Sequence, residues 1–160
     1  MSGLIIIIIV VLAITFFVNS KSRYEEPDNI SSQNLGFDAE DYKAWCRRGM
    51  ELEELGRYQE AIAAFNKALQ IQPNNYQILC AKGKVLANSE KIEEAIYVFE
   101  RVLELKPNLY VWHLRGTLLG KLGRLHEAIE CFEKVLESNP DDQDALECRA
   151  YALKSLSRNR

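Results

Sequence analysis

Two histidines, four cysteines and a few glutamate pairs are the side chains best suited to acid–base, nucleophilic or metal chemistry in this sequence. Their spacing argues against all three. His113 and His126 belong to different segments. Neither has a sequence neighbour that would complete a nucleophile or metal pair. Cys46, Cys80, Cys131 and Cys148 lie 34, 51 and 17 residues apart, without a Cys-x-x-Cys pair, which suits neither a zinc site nor a disulfide framework. They read as small buried or half-buried thiols of a reducing compartment. Glu53-Glu54 and Glu93-Glu94 fall on faces patterned for solvent, and Gly-rich phosphate loops are absent from the sequence. No catalytic residue, cofactor or metal ligand is expected.

The elements around these residues repeat. Gly49, Gly83 and Gly116 fall in step with Ala61, Ala95 and Ala128, with Phe65, Phe99 and Phe132, and with Pro73, Pro107 and Pro140. The first two glycines are 34 residues apart and the next two 33, and several independent columns agree on that period. Leu52, Leu55, Ile62, Phe65 and Leu69 recur at intervals that lay one apolar face along each helix of a pair. Small residues in the Gly and Ala columns let the paired helices approach closely. Leu-Gly-Arg at 55–57 and again at 122–124 punctuates the turns, and each closing proline ends the second helix. Helices are expected at about 39–54, 58–71, 75–88, 92–105, 108–121, 125–138 and 142–157, the first capped by Asp38. The last continues the columns with Leu146, Ala150 and Leu153, and its Lys154, Ser155 and Arg158 form a polar outer face that closes the array.

These columns resemble the tetratricopeptide repeat. Its pattern is met by Trp45, Gly49, Tyr58, Ala61, Phe65 and Pro73 in the first unit. The second offers Leu79, Gly83, Leu86, Ala95, Phe99 and Pro107, and the third Trp112, Gly116, Leu119, Ala128, Phe132 and Pro140. Where the family often has Leu before the Gly, this chain has Arg48, Lys82 and Arg115, read as long stems over apolar surface with their charge in water. The resemblance implies an all-α, right-handed α-solenoid of three helical hairpins at about 42–75, 76–108 and 109–142, plus a capping helix at about 142–157.

Ahead of the repeats, Leu4 to Val18 are apolar except for Thr15. Fifteen helical residues span about 22 Å, short of the roughly 30 Å of bilayer hydrocarbon. Met1 to Gly3 extend the uncharged run, and snorkelling of Lys21 and Arg23 supplies the remainder. Residues 1–20 are accordingly expected to be a single transmembrane anchor. The basic C-terminal flank predicts that the repeats lie on the cytoplasmic side. A signal peptide cut before Lys21, weakened by the lack of a basic start, and a buried or partner-covered helix are the alternatives. Residues 21–38, rich in Ser, Asn, Glu and Pro, read as a flexible linker, and the domain follows over 39–160.

The family resemblance also implies where a partner would sit, on the inner face made by the first helix of each pair. In this chain the matching positions are Lys43, Cys46, Arg47, Met50, Glu53 and Glu54, then Gln77, Cys80, Ala81, Lys84, Ala87 and Asn88. The third unit adds Tyr110, His113, Leu114, Thr117 and Lys121, and the closing helix Asp144, Glu147, Cys148, Tyr151 and Lys154. Adaptable apolar side chains beside scattered charge suit an extended peptide or a partner helix. Chaperone-binding members grip a C-terminal carboxylate with Lys, Asn and Arg. The corresponding positions here hold Cys46, Met50, Ala81, Tyr110 and Leu114, so that clamp is not expected. With a net charge of −3 and no basic stripe, nucleic-acid binding is not expected either. The sequence reads as a membrane-anchored, non-enzymatic scaffold for a protein partner, used in recruitment or assembly of a membrane complex. An exported soluble repeat protein is the alternative.

Overall fold

The computed structural model describes residues 42–158. The anchor, the linker and the Asp38 cap expected from the sequence lie outside the described residues. Among the described residues seven helices follow one another: α1 Tyr42–Glu54, α2 Tyr58–Ile71, α3 Tyr76–Asn88, α4 Ile92–Leu105, α5 Leu109–Lys121, α6 Leu125–Ser138 and α7 Gln143–Arg158. They pair as hairpins α1/α2, α3/α4 and α5/α6, each stacked on the next, with α7 packed on α6. The architecture is an all-α solenoid, and no strand occurs among the described residues. The α3, α5 and α7 starts fall one residue later than expected, because Asn75, Asn108 and Asp142 stand outside the helix as caps. Their side-chain oxygens accept from Ile78 N, Val111 N and Ala145 N at 3.3, 3.2 and 2.9 Å.

Every hairpin turn is closed the same way. After α1, Gly56 N–H donates to Glu53 O and Arg57 N–H to Leu52 O, at 2.9 and 2.8 Å. Glu90 with Lys91, and Gly123 with Arg124, repeat this pair of bonds. The geometry needs a left-handed residue at its centre, with φ of 71° at Gly56, 74° at Gly123 and 62° at Glu90. Leu55, expected on the apolar face, is instead 69% exposed. It stands just past the last helical residue of α1, where the chain has already swung away from the core. The residue after each turn caps the second helix without a side-chain bond and pairs instead with a glutamate one turn on: Arg57–Glu60, Lys91–Glu94 and Arg124–Glu127.

The interior is one seam running from Leu52 through Phe65, Leu79, Leu86, Phe99 and Leu119 to Phe132. The Gly column has a sharper reason than helix approach alone. A Cβ at Gly49 would meet the Phe65 ring at 2.8 Å, at Gly83 the Phe99 ring at 2.6 Å, and at Gly116 the Phe132 ring at 2.9 Å. Each glycine is the seat of the phenylalanine sixteen residues later on its own hairpin partner.

Two expectations are corrected by packing. Arg115 does not snorkel. Its side chain is 13% exposed, its Nη2 donates to Glu100 Oε1 at 2.7 Å across the hairpin boundary and its Nη1 reaches Cys131 Sγ at 3.0 Å. Burial alone would lower its pKa, but the bonds to Glu100 and Cys131 outweigh it and raise the value. Lys82 moves the other way, its pKa lowered by burial with only partial compensation from Glu94. The second correction concerns α7, which docks through Ala145, Ala152 and Leu156, whereas Ala150 is exposed and Leu153 is 48% exposed. The Ala150 and Leu153 columns face the second helix of a hairpin, and α7 has none among the described residues.

Candidate functional site

The first helix of each hairpin contributes to one face, because its opposite side is committed to the phenylalanine of its partner. On that face two open clefts lie in succession. The first, about 300 Å³, runs between α1 and α3 and is lined by Lys43, Cys46, Met50, Gln77 and Ala81, with Tyr42, Asn75 and Ile78 around them and Phe65 beneath. The second, about 360 Å³, runs between α3 and α5 with Glu53 of α1 at its rim. Lys84, Ala87, Asn88, Tyr110, Leu114, Thr117 and Lys121 line it, over Phe99 and Leu118.

Thirteen of the side chains picked from the sequence thus converge: Lys43, Cys46, Met50, Gln77 and Ala81 in one cleft, and Glu53, Lys84, Ala87, Asn88, Tyr110, Leu114, Thr117 and Lys121 in the other. Nine others line neither. Arg47 and Glu54 are exposed, Cys80 is half-buried against the core, and on α7 Asp144, Glu147, Tyr151 and Lys154 stand exposed with Cys148 half-buried. His113 is half-buried with its ring edge-on to Phe132, centroids 5.6 Å apart. Sequence reasoning missed Tyr42 and Asn75 as lining. Tyr42 opens the first repeat, and Asn75 caps α3 at the cleft mouth; a cap-type residue between a proline and an apolar run was its legible signal.

Polar contacts organise the second cleft. Asn88 Nδ2 donates to Glu53 Oε1 at 3.3 Å, joining the first and second hairpins. Lys84 Nζ sits 5.4 Å from the Tyr110 ring centroid, joining the second and third. Thr117 Oγ1 donates to His113 O within α5 at 3.0 Å.

Cys80, beside the clefts, has its pKa raised by burial, against the pull of Lys84, and Cys148 is raised by burial with Asp144 and Glu147 adding to it. Both are thiols at neutral pH and poor nucleophiles. Cys46, Cys80 and His113 share one register in successive hairpins, but among the described residues no three His, Cys, Asp or Glu side chains stand close enough to hold a metal ion. No described helix is long and apolar enough to cross a membrane.

Comparison with known proteins agrees with this architecture. Residues 42–75 match one model of the tetratricopeptide repeat and residues 83–152 match a second. No curated protein matches the sequence. Among solved structures, the first such domain of Spaghetti (RPAP3), bound to the HSP90 peptide SRMEEVD, is 21% identical with a TM-score of 0.67; the match covers 77% of this chain and 98% of that one. A double mutant of MamA RS-1 is 24% identical, TM-score 0.70, covering 76% and 68%. The Arabidopsis OM64 domain is 17% identical, TM-score 0.65, covering 73% and 98%. At such identities the likeness is one of fold. With the repeat's columns matched by both models and each glycine of the motif seating its phenylalanine, this chain belongs to the tetratricopeptide repeat family.

Proposed function

We propose that the protein is a non-enzymatic interaction scaffold, tethered to a membrane by residues 4–18, that holds a segment of a protein partner on the face built by α1, α3 and α5. The observation that carries the reading is the convergence of thirteen exposed or half-exposed side chains from three successive hairpins into two aligned clefts. Proteins of this repeat mediate protein–protein contacts, and the similar Spaghetti domain holds a peptide. The terminal-carboxylate clamp is not part of the reading, since Cys46, Met50, Ala81, Tyr110 and Leu114 offer neither the cations nor the amides it uses.

Tethering rests on the apolar run Leu4–Val18 followed by Lys21 and Arg23, which also favours the cytoplasmic side for the repeats. A tether confines the clefts to a surface and raises the effective concentration of any partner there, which suits recruitment or assembly of a membrane complex. The competing reading, an exported protein whose first twenty residues are removed, makes a different observable. Intact-mass measurement on the native protein finds Met1–Ser20 retained if the anchor reading holds, and carbonate extraction leaves the chain in the pellet. A mature chain starting near Lys21 that is released by carbonate would end the anchor reading. For the groove, Met50→Glu with Leu114→Glu is expected to abolish a defined set of proximity-labelled neighbours while helical circular dichroism is retained; an unchanged set would refute it.

A further inference from the structure

We infer that the second cleft is selective for an internal acidic side chain, Asp or Glu, next to an apolar side chain in an extended partner segment. This rests on the groove reading above and names the chemistry of its occupant. In the turns and second helices Arg57, Lys91, Arg124 and Lys134 each close on a glutamate three residues on. Lys84 and Lys121 both line the cleft, and among the described residues neither has a carboxylate within 4.0 Å. Lys84 is instead held against the Tyr110 ring, whose residue is 56% exposed.

The cleft's one acid, Glu53, already accepts from Asn88. An ammonium stacked on a tyrosine and a second one at the end of α5 therefore border an apolar floor of Leu114 and Leu118 with open valence for an anion. In a chain of net charge −3, this local excess of positive charge steers an acidic segment to the cleft and away from the rest of the surface. The lysines occupy other positions than the terminal-carboxylate clamp, and no donor pair is arranged for a chain end, so the group recognised is a side chain.

The test is selection of twelve-residue random peptides, displayed with both ends fused, against the full chain and against a Lys84→Glu/Lys121→Glu variant whose fold is verified by circular dichroism. The expected result is an enriched pool at least threefold richer in Asp and Glu than the input, each beside an apolar residue. Individual amidated winners should lose at least tenfold in affinity on Glu→Gln exchange in the peptide, and as much against the variant. Enrichment of peptides without acidic excess, still blocked by Met50→Glu/Leu114→Glu, would overturn this inference and leave the groove reading standing. No enrichment above background would overturn both.

Discussion

Glu90 occupies the left-handed position that Gly56 and Gly123 hold in the other two turns, and it does so with a Cβ that disfavours it. Glu90→Gly should therefore stabilise the fold by about 0.5–1 kcal/mol, the relief of strain exceeding the entropy a glycine adds to the unfolded chain; chemical denaturation reads it directly. Gly83→Ala should do the opposite. A methyl group 2.6 Å from the Phe99 ring forces that ring off its seat, for a loss of about 1–3 kcal/mol despite the better helix propensity of alanine. Cys131 gives a pH dependence. Burial raises its pKa above the ordinary 9.0, with Arg115 opposing. The folded state thus favours the protonated thiol; its contribution is complete below about pH 9 and is lost as pH rises through the unfolded-state value toward the folded one. Cys131→Ala should flatten that alkaline decline in melting temperature.

At the scale of the element, helix boundaries from the end of α1 onward were legible to within a residue because proline, asparagine and the left-handed turn residues mark them in the chain itself. Reading the cap as the first helical residue accounts for the early starts expected of α3 and α5. Asn75→Ala removes the oxygen that accepts from Gln77 N and Ile78 N and should cost about 1 kcal/mol, measurable as a lower denaturation midpoint at unchanged slope. The role of α7 was only half legible. Its columns continue the repeat, yet which of them are covered depends on a neighbour. Ending the chain after Pro140 should uncover Leu125, Ile129, Val135 and Leu136 of α6, lowering the melting temperature and promoting self-association.

For the molecule as a whole, a period repeated in several columns was enough to specify hairpins and a common apolar seam. The reason is locality: each Gly–Phe pair and each turn is complete within one repeat, so short-range pattern carries it. The clefts are different. Lys84 and Tyr110, or Asn88 and Glu53, belong to separate hairpins and meet only through the stacking of one hairpin on the next. The same holds for Arg115, whose bond to Glu100 crosses from α5 to α4 and keeps its charge out of water, where the family pattern and stem length suggested exposure. Sequence by itself determined the repeat and its core. Tertiary structure alone decided which surface side chains converge, because convergence is set by packing between repeats, and no spacing along the chain encodes that.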